Sequence, residues 1–279
     1  MKNIFLPVLI LLVSYDVFLR YGIKPEHIIT QNMWQDNQYI VENYINNFSE
    51  VPVVMVGSSL AARLKIQGSD NCIYNLSLGG DSALTGLNII TKSNRKPKLV
   101  LIEINVPQRG SNSELVDRSF SKLAKISPIF YTQNIPINLF TSVIKKGVAD
   151  EPKVNDVLFR NMFALQQKDY GQLMPEAKLV NQLHVYKKFV EMLQNGGTQV
   201  VFFEMPVEPS LEKSPLAEQV RTAFLHTFNN DSFISLNELS KGVVIKTRDG
   251  VHLTSEVAKS VSLNMGRHYS QVCQPSLFK

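Results

Sequence analysis

A hydroxyl, an imidazole and a carboxylate occur in two short segments near opposite ends of this chain. Ser58 and Ser59 follow the apolar run Val53–Val56 and a glycine, and Asp249 lies three residues before His252. A serine hydroxyl at its ordinary pKa is a poor nucleophile, so it needs a neighbouring base and a group that orients that base. His252 and Asp249 could fill these two roles for Ser59. The alternative is that Ser58 or Ser59 only caps the next helix.

The predicted order of strands and helices places both segments at one rim of a sheet. A continuous aliphatic run is typical of a strand covered on both faces, and it predicts the first strand at Val51–Val56. The Asp249–His252 segment falls after the last predicted strand and before a terminal helix. Open α/β sheets bind ligands beyond the carboxyl ends of their strands. We therefore expect Ser59 and His252 to meet at that rim.

The alternation of strands and helices predicts one α/β unit with a central parallel sheet of about five strands and right-handed crossovers. The predicted strands are Val51–Val56, Cys72–Leu76, Leu99–Ile104, Gln199–Glu204 and Phe233–Leu236. The predicted helices are Met33–Phe48, Ser82–Ile90, Pro175–Gln194, Pro215–Phe228 and a terminal helix from about Thr254. Residues 107–174 are irregular and rich in proline, with helical pieces near 114–125 and 154–167, and we interpret them as an insertion over the carboxyl edge.

The amino terminus is predicted to be a hydrophobic helix. Residues 4–15 carry no charge, and apolar residues continue beyond Asp16 as far as Ile23. No small-residue cleavage pattern follows, so residues 1–23 are predicted to be an uncleaved, single-pass signal anchor. A connector and amphipathic helix over 24–50 would then lead to an extracytoplasmic domain, periplasmic or at the cell surface, over 51–279. The alternative is a buried amino-terminal helix of a soluble protein.

Composition excludes other classes of function. The net charge is +5 with a pI of about 9.1, but no basic run with interleaved aromatic residues is present, so no nucleic-acid partner is predicted. Cys72 and Cys273 lack the spacing of metal ligands, and no phosphate-binding glycine loop occurs. We therefore predict no metal and no cofactor. A disulfide between the two cysteines is permitted if the domain is exported, and the sequence leaves their redox state open.

Four short blocks, in order along residues 51–270, resemble those of the SGNH (GDSL-like) hydrolase superfamily. They are Gly57–Leu60, similar to Gly-Asp-Ser-Leu; Asn75–Asp81, similar to the glycine block; Glu103–Val106, similar to Gly-x-Asn-Asp; and Asp249–His252, matching Asp-x-x-His. The chain departs from the family with Ser58 where an Asp is frequent, and with Glu103 and Val106 in the third block. Glu103 is interpreted as a loop carboxylate or ion-pair partner.

The resemblance implies a three-layer α/β/α, flavodoxin-like fold and a catalytic set of Ser59, His252 and Asp249. The oxyanion hole implied by the family comprises the amides of Ser59 and Gly80 and the side chain of Asn105. From the residues alone, Asn75 and Asn105 could equally be turn formers bonded to local backbone, and Gly79–Gly80 a tight turn.

The Gly-Ser-Ser variant resembles that of membrane-anchored members that work beside polymer acyltransferases. This likeness implies a serine esterase or O-acyltransferase that acts on acyl esters, with acetyl expected, of a cell-surface carbohydrate polymer. A membrane acyltransferase would be its partner. Two alternatives stay open: a non-catalytic polymer-binding or scaffold protein of a polysaccharide-modification system, and a soluble cytoplasmic esterase.

Overall fold

The computed structural model describes residues 2–22, 25, 28–46, 51–64, 72–93, 95–121, 127–144, 155–228, 232–269 and 272. Parts of the predicted connector, the ends of the helices predicted to reach 48 and 125, and Cys273 lie outside these residues. The chain divides into two compact units. One consists of Met1–Asn47 and Glu114–Asp150, and the other of Phe48–Ser113 and Glu151–Lys279.

The strands and helices have the following bounds. The strands are β1 (Val53–Val56), β2 (Ile73–Asn75), β3 (Leu99–Glu103), β4 (Gln199–Phe203) and β5 (Phe233–Ile234). The helices are α1 (Lys2–Tyr21), α2 (Met33–Asn46), α3 (Ala83–Lys92), α4 (Ser113–Ser119), α5 (Pro136–Ile144), α6 (Asp156–Tyr170), α7 (Glu176–Asn195), α8 (Pro209–Glu212), α9 (Pro215–Thr227), α10 (Leu236–Leu239) and α11 (Ser255–His268). Single turns of 3₁₀ helix occupy Ala61–Arg63, Pro128–Phe130 and Thr132–Asn134.

The second unit is built around one sheet of five parallel strands, in the order β2-β1-β3-β4-β5. The prediction of a parallel α/β sheet of about five strands is therefore confirmed. Every residue of β1 and β3 is buried, which is why these strands have aliphatic runs rather than alternating patterns. After β2 the chain crosses back over β1 to form β3, so the strand order reverses between β1 and β3. That reversal is where open α/β sheets form their ligand crevice.

Helices cover both faces of this sheet, as in a three-layer α/β/α arrangement. On one face, Met55 and Leu101 pack with Val261 and Met265 of α11. An aromatic group lies where α7 and α9 pack with β4: Phe202 contacts Phe224 and Phe228, and Phe224 contacts Tyr186. Burying a large side chain of this kind contributes about 1.5–3 kcal/mol. The two layers of helices hold the strands, and hence the loops at their carboxyl ends, in fixed positions.

The first unit joins the amino-terminal helices to residues from the middle of the chain. The Tyr15 hydroxyl donates a hydrogen bond to the Asn134 carbonyl at 2.6 Å. The Glu42 carboxylate of α2 accepts the amide of Thr132 at 2.8 Å and its hydroxyl at 3.1 Å. The part of the predicted insertion that spans 114–150 thus belongs to a unit with α1 and α2, whereas 151–174 belongs to the unit that contains the sheet.

The helix α1 begins at Lys2 and ends at Tyr21. In the part of the chain that the structure describes, no helix has both the length and the apolar character needed to cross a bilayer. The signal anchor over residues 1–23 stays a prediction.

Candidate active site

The structure brings Ser59, His252 and Asp249 into one hydrogen-bonded line. The Ser59 Oγ lies 3.0 Å from His252 Nε2, and His252 Nδ1 lies 2.6 Å from Asp249 Oδ2. Because a carboxylate accepts hydrogen bonds, Nδ1 carries the ring proton and Nε2 is left as the acceptor for the serine hydroxyl. The His252 side chain is 22% exposed and Asp249 only 7%, so the imidazole faces the solvent side and the carboxylate lies behind it.

A tight turn fixes the imidazole and carboxylate relative to each other. The Asp249 Oδ1 atom accepts the amides of Val251 at 3.1 Å and His252 at 2.8 Å. Between them Gly250 has a φ of +99°, a conformation that favours glycine. Burial alone would raise the pKa of the Asp249 carboxyl, but hydrogen bonds from the ring and amide of His252 and from Val251 outweigh it and hold this pKa below its ordinary value. The carboxyl is therefore ionised at neutral pH, as an orienting group must be.

The turn that carries Ser59 is held by Glu103, the last residue of β3. The Ser58 amide donates to Glu103 Oε2 at 2.6 Å, and the Ser58 hydroxyl lies 2.9 Å from both carboxylate oxygens. The Ala61 amide also donates to this carboxylate, at 3.4 Å. Burial raises the pKa of the Glu103 carboxyl, and the hydrogen bonds from Ser58 and Ala61 partly offset that effect.

Glu103 does not lie in a loop: β3 extends through it, in agreement with the predicted strand Leu99–Ile104, and its side chain is buried. After Ser59 the chain forms a single 3₁₀ turn at Ala61–Arg63. Asn75 supports this turn: its side-chain amide donates to the carbonyls of Ala61 at 2.8 Å and Leu64 at 2.9 Å. The Asn75 Oδ1 also accepts the amide of Ser77 at 3.0 Å, which is the local backbone contact expected of a turn former, whereas the two Nδ2 contacts are not local.

Two of the three expected oxyanion donors, the backbone amides of Ser59 and Gly80, donate no hydrogen bond to another described residue. Ser59 follows β1, and Gly80 lies with φ +70° in the turn between β2 and α3. The Leu78 amide donates to the Gly57 carbonyl at 3.0 Å, so the glycine turn is tied to the turn that carries Ser59. Among the described residues, nothing accepts a hydrogen bond from the amide of Ser59 or Gly80. Both amides are therefore free to bind an oxyanion.

Asn105, the third expected donor, has its side chain bonded to the backbone of Met205. Its Nδ2 donates to the Met205 carbonyl at 3.0 Å, and its Oδ1 accepts the Met205 amide at 2.7 Å. These bonds fasten the loop after β3 to the loop after β4. One of the two hydrogens on Nδ2 is used in this way and the second is available for a ligand. The Asn105 side chain is thus bonded to backbone 100 positions away rather than to local backbone, and it keeps one hydrogen as a potential donor.

Sequence reasoning missed the contribution of α6. Phe163 of this helix lies so close to Gly250 that a β-carbon there would be 2.5 Å from its ring. Burial, followed by the nearby carboxylates of Glu103, Glu204 and Asp249, raises the pKa of Tyr170 at the end of α6. Phe163 and Tyr170 both pack against the buried cluster that contains Val251, so α6 ends close to the candidate site. In the sequence, only the helical pattern near 154–167 indicated this helix, and the pattern does not indicate where the helix packs.

Over the described ranges, no group of three or more histidine, cysteine, aspartate or glutamate side chains could hold a metal ion. Cys72, just before β2, is in a disulfide bond. No protein-family profile matches the chain, and no curated protein matches it.

Proposed function

We propose that this protein is an SGNH-type serine enzyme that transfers an acyl group through a covalent ester on Ser59. The observation that carries the proposal is the line of contacts from Ser59 Oγ to His252 Nε2 at 3.0 Å and from His252 Nδ1 to Asp249 Oδ2 at 2.6 Å. The line lies beside the reversal between β1 and β3, where a doubly wound sheet binds its ligand. The strand order 2-1-3-4-5 is also that of the flavodoxin-like fold which the family resemblance implies.

In the first step His252 takes the proton from the Ser59 hydroxyl as the oxygen attacks the carbonyl carbon of the ester. Asp249 keeps the ring in the required tautomer and stabilises the imidazolium. The amides of Ser59 and Gly80 and the free hydrogen of Asn105 Nδ2 receive the oxyanion. Removal of one such donor typically costs about 3 kcal/mol of barrier. His252 then returns the proton to the departing alcohol, which leaves an acyl group on Ser59.

In the second step His252 removes a proton from the acceptor, whose oxygen attacks the acyl carbon. The bond between that carbon and Ser59 Oγ then breaks, and His252 returns the proton to Ser59. With water as acceptor the enzyme is an esterase, and with a sugar hydroxyl it is an O-acyltransferase. The imidazole is partly exposed, so an acceptor can approach it from solvent. The proposed acyl group is acetyl and the proposed substrate an acylated cell-surface carbohydrate polymer.

The Gly-Ser-Ser sequence at 57–59 and the apolar residues of α1 support the remaining proposals. These are a single-pass membrane anchor at the amino terminus, an extracytoplasmic catalytic domain and a membrane acyltransferase partner. The disulfide at Cys72 also favours an oxidising compartment.

Labelling with a fluorophosphonate probe tests the catalytic proposal. The probe reacts with activated serines, so the wild type should be labelled at Ser59, and Ser59→Ala and His252→Ala should not be. Ser260→Ala and His184→Ala are matched controls, because they remove a serine and a histidine from helices α11 and α7. If Ser59→Ala labels as strongly as the wild type, Ser59 is not the nucleophile and the catalytic proposal is wrong. If the wild type is not labelled at all, a non-catalytic polymer-binding scaffold takes its place.

A further inference from the structure

Two departures from the SGNH pattern lie in contact with each other. The family often has a carboxylate directly before its nucleophile, where this chain has Ser58, and a glycine where this chain has Glu103. In the structure the amide and hydroxyl of Ser58 both donate to the Glu103 carboxylate, at 2.6 and 2.9 Å. The carboxylate is therefore supplied from the neighbouring strand rather than from the nucleophile turn itself.

The contacts of Glu103 converge on the turn that carries Ser59. Its oxygens accept hydrogen bonds from Ser58 and from the Ala61 amide, and the Ser58 hydroxyl in turn accepts the Leu60 amide at 3.2 Å. Ser58 Oγ accepts the Leu60 amide with one lone pair and donates its proton to the Glu103 carboxylate. The carboxylate thus binds the turn on both sides of Ser59 while leaving the Ser59 amide unoccupied.

The fit between Glu103 and this turn leaves no spare room. Glu103 is 2% exposed. A β-carbon on Gly57 would lie 2.5 Å from Glu103 Oε2 and 2.9 Å from Glu103 Cβ. Only glycine therefore fits before Ser58 while Glu103 keeps its place.

We propose that Glu103 is a positioning residue for the nucleophile, and that its carboxylate holds the turn from Ser58 to Ala61 so that the hydroxyl and amide of Ser59 are aimed at the substrate. This inference rests on the proposed acyl-transfer function. Glu103 does not touch the substrate; it acts through Ser58 and Ala61. The pair of Ser58 and Glu103 replaces the carboxylate that the family block carries beside its serine.

The chain offers a matched control for the loss of such a carboxylate. Glu42 in the first unit accepts the amide and the hydroxyl of Thr132, which is the same pair of donors that Ser58 presents to Glu103. Burial raises the pKa of both Glu42 and Glu103. Glu42→Gln therefore reproduces the loss of the contact in a unit that contains none of Ser59, His252 and Asp249.

The test measures the saturating rate (kinact) and apparent affinity (KI) for a fluorophosphonate with the full chain. Glutamine keeps the size of Glu103 but presents an NH₂ group to the donors of the turn. In Glu103→Gln we expect kinact to fall about 10- to 100-fold, as for a reacting group displaced by up to about 1 Å. The KI should stay within about threefold, since uniform binding is unchanged. Glu42→Gln should leave both constants at wild-type values. A purely structural role would instead lower the melting temperature of Glu103→Gln and leave kinact of its folded fraction unchanged.

A rescue experiment decides the question even if Glu103→Gln does not fold. Ser58→Asp alone places a second carboxylate against Glu103, and Glu103→Gly alone removes the acceptor, so each should lower kinact. The double variant Ser58→Asp/Glu103→Gly restores the family arrangement, and its kinact should exceed that of either single variant by about tenfold or more.

The two proposals fail in different ways. If the wild type is labelled at Ser59 and Glu103→Gln keeps the wild-type kinact, the inference is overturned and the proposed function stands. A double variant no faster than the single ones also overturns the inference. If the wild type is not labelled at all, the proposed function fails and the inference fails with it.

Discussion

Replacing Gly57 by alanine changes the turn that carries Ser59 without altering Ser59, His252 or Asp249. The added β-carbon would lie 2.5 Å from Glu103 Oε2, 2.8 Å from the Ala61 β-carbon and 2.9 Å from Glu103 Cβ. Non-bonded atoms prefer separations of about 3.5–4.0 Å, so the turn and the end of β3 must move apart by about 1 Å. These neighbours are buried on β3 and at the start of the 3₁₀ turn, so neither has an open space to move into.

Two effects of Gly57→Ala follow from this displacement. Inserting a carbon into a close-packed site typically costs about 1–3 kcal/mol of unfolding free energy. A displacement of about 1 Å at a reacting group costs about 100-fold in rate. We therefore expect a moderate loss of stability together with a fall of about 100-fold in turnover of an acetyl ester.

Urea unfolding and initial-rate kinetics on the same preparations measure these two effects. Gly266→Ala is the matched control, since a β-carbon there meets nothing within 4 Å. Because Gly266 lies inside α11, the change to alanine should stabilise the protein by up to about 1 kcal/mol and leave turnover unchanged. Wild-type turnover and stability in Gly57→Ala would contradict the close contact between Glu103 and the turn that carries Ser59.

Three further outcomes are expected. Asp249→Asn should lower kcat about 10⁴-fold with little change in KM, because the wrong tautomer of His252 then faces Ser59. Steady-state kinetics measure both constants, and a loss of kcat below tenfold would contradict the role of Asp249. Since the pKa of Asp249 is lowered on folding, its contribution to stability is complete above its ordinary pKa of about 3.9 and is lost as the pH falls through the lowered value. The difference in unfolding free energy between wild type and Asp249→Asn should accordingly shrink in acid, and a difference that grows instead would refute the assigned shift. Gly250→Ala should lower the free energy of unfolding by more than about 1 kcal/mol, because alanine would have to adopt a φ of +99° and its β-carbon would lie 2.5 Å from the Phe163 ring. A thermal melt measures this loss, and unchanged stability would contradict the packing of Phe163 on Gly250.

The sheet could be predicted from the sequence because burial on both faces leaves a local signal. The aliphatic runs at β1 and β3 identify strands that helices cover on both sides, and parallel order follows from the helices between them. The proximity of Ser59 and His252 could also be predicted, since both residues follow strands that end at the same rim of the sheet. The structure places them 3.0 Å apart.

The contacts that support the site could not be predicted in the same way. Whether Glu103 reaches Ser58 depends on the register of β1 against β3, in which Val56 lies beside Ile102, and register leaves no trace in either strand alone. The bonds between Asn105 and Met205 likewise join residues that are 100 positions apart. For the same reason, periodicity gave no indication that residues 114–150 form a unit with α1 and α2.

The account depends on an acyl group passing through Ser59, and that intermediate can be observed directly. The wild type is incubated with an excess of an acetyl ester, quenched in acid within one turnover and digested for mass spectrometry of the peptide that contains Ser58 and Ser59. We predict one acetyl group on Ser59, absent from Ser59→Ala. Turnover of the ester with no acetyl on this peptide, or with the acetyl on another residue, would contradict the account.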